Sequence, residues 1–152
     1  MRIVPLVERP DLVDQVSSWG FDEWGHLSPG QTLDERRAKV RGKMNLDRVP
    51  IAFVALDDHD GMVGTVSLIF DDLEGDPRNP WLASVYVPPA HRHRGIASAL
   101  VSAVEAAARR IGYGRLYLFT TSAAALYERL GWTALEQRDY RGEHIQVMEK
   151  SL

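Results

Sequence analysis

The spacing of apolar and polar positions changes period several times along the chain, and each change marks an element. Ile3 to Val7 is a short apolar run closed by Glu8-Arg9-Pro10, and it reads as a strand. From Asp11 to about Gly25 the apolar positions fall at helical spacing, turning Leu12, Val16, Trp19 and Phe21 toward a core. Thr32 followed by Glu35 has the form of a capping box and opens a charged helix that runs to about Asn45. Ile51–Leu56 and Met62–Phe70 are strand-like, and Asp57-Asp58-His59-Asp60-Gly61 between them has the composition of a hairpin turn.

Asp71 to Pro80 forms an acidic, turn-rich loop, and Trp81 to Val87 a further strand. Gly95 to Ile111 carries the strongest helical pattern of the chain. Ile96, Leu100, Val104, Ala107 and Ile111 make one apolar stripe, and Ser98, Ser102, Glu105 and Arg109 line the opposite face. Arg109 and Arg110 suit the negative helix end, and Gly112 supplies the stop. Arg115–Thr120 reads as a buried strand and Ser122–Leu130 as a short helix ended by Gly131. Trp132–Arg138 and His144–Lys150 then pair as a hairpin across Tyr140-Arg141-Gly142. The strand–helix–strand unit from Trp81 to Thr120 requires a parallel pair with a right-handed crossover, whereas the hairpins are antiparallel. The expected fold is a single-domain α/β protein over residues 1–152. Its sheet is mixed and mostly antiparallel, with a central parallel pair and about four flanking helices.

Composition narrows the chemistry. The chain has 152 residues, enough to bury roughly 70% of its unfolded surface in one core. It has no cysteine, which excludes disulfides, thiolate metal sites and cysteine nucleophiles, and no metal site is expected. The N-terminus lacks the apolar core of a signal peptide, and no apolar run approaches the ~20 residues of a membrane span, so a soluble cytoplasmic protein is expected. A net charge of −3 argues against nucleic acid as a partner. Against that background His91-Arg92-His93-Arg94 is a local basic cluster, of the kind that meets a small anion.

The cluster sits between a strand stopped by Pro88-Pro89 and the N-terminus of the strongest helix, with small residues at Gly95 and Ala97. Backbone N–H groups, a helix N-terminus and cationic side chains together make an anion grip. No Gly-Lys-Ser/Thr and no G-x-G-x-x-G occurs, so nucleoside-triphosphate and dinucleotide loops fit worse. Arg92-His93-Arg94-Gly95-Ile96-Ala97, placed after Val85-Tyr86-Val87, resembles the [Arg/Gln]-x-x-Gly-x-[Gly/Ala] signature of the GNAT superfamily of N-acetyltransferases. Ala123, Tyr127, Gly131 and Trp132 complete an Ala-x-x-x-Tyr-x-x-x-Gly-aromatic ending, and the likeness covers Trp81 to Trp132.

The resemblance implies acetyl-coenzyme A as co-substrate. Its pyrophosphate would meet the backbone of Arg92, His93, Arg94, Gly95, Ile96 and Ala97, continuing to Ser98 on the first helical turn. The pantetheine arm would pair with Val85, Tyr86 and Val87, and Tyr127 would serve as general acid toward the departing thiolate. Two positions depart from the family pattern. The asparagine common after the second strand is replaced by Thr120-Thr121-Ser122, which makes Thr120 the candidate contact there. The glutamate common on the strand before the basic loop is missing from Trp81-Leu82-Ala83-Ser84.

The missing base bears on the acceptor. At pH 7 an α-amine of pKa about 8 is roughly 10% neutral, whereas an alkylamine near 10.4 is under about 0.1% neutral. Ser84 could order a water for proton removal, or a carboxylate could reach in from Asp71, Asp72, Glu74 or Asp76, with Asp72 preferred. Trp19, Phe21, Trp24, His26 and Trp81 are candidates for the acceptor pocket, where aromatics beside acids suit a cationic amine. The implied function is acetyl transfer to a primary amine, small molecule or peptide. The rivals are a coenzyme-A-binding sensor without turnover and a structural or peptide-binding domain. Homodimers are common in the family, and no residue marks one here.

Overall fold

The computed structural model describes all 152 residues. A single seven-stranded sheet runs through them, with strand order β1-β2-β3-β4-β5-β7-β6. The strands are β1 (Arg2–Pro5), β2 (Ile51–Leu56), β3 (Met62–Ile69), β4 (Trp81–Tyr86), β5 (Arg115–Thr120), β6 (Thr133–Tyr140) and β7 (Glu143–Ser151). The α-helices are α1 (Val13–Trp24), α2 (Leu33–Arg41), α3 (Ile96–Ile111) and α4 (Ala124–Arg129). Every neighbouring pair of strands is antiparallel except β4 and β5, which are parallel across the α3 crossover. This is the mixed sheet expected from the sequence.

β2 shows how the layers arise. Its side chains alternate between two buried faces: Ile51, Phe53 and Ala55 pack with α3, while Ala52, Val54 and Leu56 pack with Leu12, Val13 and Val16 of the α1 region and Val40 of α2. A strand covered on both sides reads as a continuous apolar run, as Ile51–Leu56 does. On the α3 face Gly64 permits the closest approach. A Cβ there would lie 2.9 Å from both Ile96 Cγ2 and Leu100 Cδ1.

α3 ends as its sequence foretells. Gly112 has φ +113°, its N–H donates to Ala108 and Arg109 carbonyls, and Tyr113 donates back to Ala108, the six-to-one bond of a Schellman motif. One residue of its polar face is displaced from expectation. Glu105 is buried, because Lys150 of β7 comes over the helix and donates to its carboxylate at 2.7 Å and to the Leu130 carbonyl at 2.7 Å. The β6–β7 hairpin is longer than its sequence pattern implies. It turns on two residues, Arg141 (φ +49°) and Gly142 (φ +81°), and left-handed backbone at both positions matches the strand twist.

Candidate active site

β4 carries a defect that opens the sheet. Ser84 has φ +57°, and between the pairs Thr65↔Tyr86 and Ser67↔Ala83 three steps along β4 face two along β3. That is a β-bulge, which bends its strand and re-aims the residues beyond it. On the other side β4 pairs with β5 only at Trp81↔Tyr117, supported by the Tyr117 N–H bond to the Pro80 carbonyl at 3.1 Å. Beyond Trp81 the two strands diverge and the backbone of Ser84, Val85 and Tyr86 faces open space. The result is a continuous cleft of about 1430 Å³.

The basic loop closes one end of it. Pro88 and Pro89 lead into a single 3₁₀ turn, and Arg92 folds its guanidinium back so that Nε donates to the Val87 carbonyl at 2.8 Å. His93 (φ +64°) and Gly95 (φ +77°) are both left-handed. The N–H of Arg92 is taken by Pro89. The N–H groups of Ile96, Ala97 and Ser98 belong to the first turn of α3 and have no intrahelical partner, and Gly95 has no side-chain cap. Apart from its chain neighbours, nothing lies within 4 Å of a Cβ built at Gly95, so that side of the loop is open. Val85, Tyr86, Val87, Arg92, His93, Gly95, Ile96, Ala97, Ser98 and Thr120 all line the cleft. Arg94 does not: its side chain is exposed outside the wall.

Tyr127 reaches the same space from α4. It is 5% exposed, its ring meets Trp132 edge-on at 6.0 Å, and burial pushes its hydroxyl up to about 12. Thr120 accepts hydrogen bonds from Ser122 and Ala123 N–H groups, which shapes the approach to α4 and leaves its own proton to donate.

The acidic loop is docked rather than solvated. Leu73 is buried with Trp81, Ile145 and Val147. Arg78 pairs with Asp76 at 2.6 Å and with Glu136 of β6 at 2.7 Å, and Arg141 pairs with Glu74 at 3.2 Å. The four acids therefore differ. Arg78 and Arg138 hold the Asp76 carboxyl below its usual range and occupy it, and Glu74 is engaged and exposed. Asp71 is exposed on the cleft rim. Asp72 is half-buried and faces the cleft, and partial burial raises it to about 6 against the opposing pull of Lys43, Lys39 and Arg141.

The GNAT acetyltransferase family model matches residues 13–132. The chain belongs to that family. Among solved structures, this GNAT chain is similar to an aminoglycoside 6'-N-acetyltransferase complexed with coenzyme A, at 21% identity and TM-score 0.76, covering 99% of this chain and 97% of the other. It is also similar to a GNAT-family acetyltransferase from Bordetella pertussis, at 22% identity and TM-score 0.77, covering 98% and 95%. Nourseothricin acetyltransferase aligns at 27% identity and TM-score 0.58, covering 69% of this chain and 66% of that one. No curated protein matches the sequence. No helix of this acetyltransferase is long and apolar enough to cross a membrane.

The aromatic residues sort differently from the sequence expectation. Trp24 lines the cleft, edge-on to Tyr86. Trp19 also packs on Tyr86 at 5.5 Å but lies behind the wall, as does Phe21. His26 is exposed in a shallow hollow at the rim, which shares Leu27, Ser28 and Arg141 with the cleft, and lies 3.5 Å from Glu143. Trp81 is a correction. It is fully buried between Tyr117 and Phe119, with its indole N–H donating to the Arg78 carbonyl at 2.6 Å, because the docked acidic loop covers that face of the sheet. Three cations that line the cleft escaped sequence reasoning. Lys43 donates to Ser67 Oγ at 3.0 Å inside the cleft, and Arg36 and Lys39 stand along the same wall. The signal was present as a 36–39–40–43 spacing on one helical face.

Proposed function

We propose that this GNAT enzyme transfers the acetyl group of acetyl-coenzyme A to a primary amine by direct attack, with Tyr127 assisting the departing thiolate and Asp72 receiving the amine proton. The observation that carries the reading is continuity. One cleft contains the free amides of the α3 N-terminus, the unpaired edge of β4, the Tyr127 side chain and the Asp72 carboxylate. The co-substrate's pyrophosphate fits the amides of residues 93–98 and the helix N-terminus. Its amide-bearing arm fits the free backbone of Val85, Tyr86 and Val87, where an N–H can polarise the thioester carbonyl.

The N–C bond forms as the C–S bond breaks, the amine gives one proton to Asp72, and the sulfur leaves as a thiolate that takes its proton from solvent. Asp72, raised to about 6, is ionised at neutral pH yet more basic than an ordinary carboxylate, which suits a general base. Ser84, on the bulge, is assigned the water that links the amine to that carboxylate. Tyr127, at about 12, stays protonated, and complete transfer to a thiolate of pKa about 8.5 is uphill by roughly 5 kcal/mol. Tyr127 therefore works by donating a hydrogen bond to the developing thiolate. The setting for this chemistry is the cytoplasm.

Thiol release from acetyl-coenzyme A, followed across a panel of amines, tests the reading. Amine-dependent release by the wild type, reduced in Asp72→Ala, is expected. Tight binding of acetyl-coenzyme A with no release for any amine would instead establish a sensor.

A further inference from the structure

α2 and the turn after it present a stripe that helices normally fill with apolar residues. Positions 36, 39, 40 and 43 follow the i, i+3, i+4, i+7 spacing of a core-facing helix. Three of the four are basic, and all four line the cleft. Arg37, one step off the stripe, pairs outward with Asp14 and Asp34. The stripe cations differ from it: none of Arg36, Lys39 or Lys43 has a carboxylate within 4 Å. Arg36 is held in place, its guanidinium 3.0 Å from where a Gly20 Cβ would stand and its Nη1 donating to Gln31 at 3.2 Å. The only partner of Lys43 is the neutral Ser67 hydroxyl.

Lys43 is half-buried, and an ammonium drawn out of water without a counter-charge is costly unless something supplies one. Burial, with Lys39 and Arg36 nearby, lowers Lys43 to about 8. Of the carboxylates that line the cleft, Glu23, Asp71 and Asp72 have no ion pair; Glu23 stands on α1 beside α2, whereas Asp71 and Asp72 belong to the acidic loop, and Asp72 is the one that senses Lys43. The acceptor end of the cleft is thus divided into one acidic wall and one basic wall.

We propose that the acceptor carries a carboxylate beside its amine, and that Lys43, with Lys39 and Arg36, receives that carboxylate while Asp72 faces the amine. The proposal rests on the acetyltransferase reading above and names its substrate class: amino-acid-like amines rather than polycations. A polyamine or an aminoglycoside would bring its charges against three unpaired cations, whereas a zwitterion meets the opposite sign on each wall.

The test measures thiol release with free amino acids, their C-terminal amides, spermidine, an aminoglycoside and a phosphate-bearing amine, in wild type, Lys43→Met and Lys39→Gln. In the wild type kcat/KM for the best free amino acid exceeds that of its amide by about 10- to 100-fold, the range of a charge-assisted hydrogen bond. Lys43→Met collapses that ratio toward one, over and above any change through Asp72 that acid and amide share, and Lys39→Gln reduces it by less. If Lys43 only tuned Asp72, the variant would change acid and amide equally, and the proposal would fall. Preference for the amide, the polycations or the phosphate-bearing amine overturns it while leaving acetyl transfer standing. Absence of release with every amine overturns both. As a readout independent of turnover, an N-acetylated amino acid raises the Tm of the wild type more than that of Lys43→Met.

Discussion

Trp81 of β4 and Tyr117 of β5 form the one register pair that joins two parallel strands, with their rings 5.6 Å apart on the far side of the sheet. Past that point β4 bulges at Ser84 and leaves β5, so the pair is the hinge line of the cleft. Arg78 lies over both rings at 5.8 Å and ties the same place to Asp76 and Glu136. Trp81→Ala removes the largest buried side chain at this junction. A loss of about 3–5 kcal/mol is expected by denaturant unfolding. Acetyl-coenzyme A affinity should fall with it, since the strands no longer share a fixed origin.

Tyr127→Phe keeps the buried ring and deletes only the hydroxyl. Turnover is expected to drop by roughly 10²-fold where chemistry limits the rate, with Tm close to wild type. Stopped-flow thiol release checks this. An unchanged chemical step would remove Tyr127 from the mechanism.

Asp72 gives the pH dependence. A base whose pKa is about 6 is competent only above it, so kcat/KM should rise with pH through about 6. Lys43, Lys39 and Arg141 are the cations that pull on it. Asp72→Asn should abolish that limb and leave any limb from the amine itself. The stability sign is opposite to that of a salt-bridged acid. The folded pKa is raised, so the native state holds more protons between about 4 and 6, and stability falls as pH rises through that window. Asp72→Asn should therefore raise Tm at pH 7.

Lys43 has the mirror-image behaviour. Its folded pKa is depressed to about 8, so the native state holds fewer protons than the unfolded chain between about 8 and 10.5. Stability from this group rises with pH across that window, and at pH 7 the half-buried ammonium is a net cost. Lys43→Met should raise Tm at pH 7 in thermal unfolding.

Gly64→Val tests how the loop is held. The new side chain would drive into Ile96 and Leu100 at the start of α3. Overpacking should cost about 1–3 kcal/mol. The KM for acetyl-coenzyme A should rise more than kcat falls, because the free amides of that first turn are displaced.

The donor half was legible from sequence because its signals are local. A proline stop, a left-handed glycine and an apolar stripe at 96, 100, 104 and 107 sit next to one another, and each constrains the same short backbone. Residues whose role depends on what covers them were harder to place. Trp81 reads equally well as a pocket wall or as core until the acidic loop is docked over it by pairs that span 58 and 62 residues. Glu105 belongs to a polar helix face until Lys150, 45 residues away, folds over it. The α2 stripe has helical spacing but reads as a solvated charged helix, since nothing in a run of arginines and lysines says which side meets a cavity. The local signals thus gave the loop at 92–97 and Tyr127, which the fold brings to one cleft, and only the fold revealed the acidic loop and the basic α2 stripe lining it as well.

The acidic wall is braced by Arg78–Glu136 and Arg138–Asp76, contacts that reach the outermost strand of the sheet. The basic wall belongs to α2, on the other side of the molecule's chain order, and neither wall contributes an amide to the anion grip. On the proposed reading, the donor is met by one part of the chain and the acceptor's carboxylate by another. Residues 33–45 are therefore the segment to vary when new amines are sought, while Asp72 and the Arg78 brace over Trp81 and Tyr117 are kept together with β4, α3 and α4.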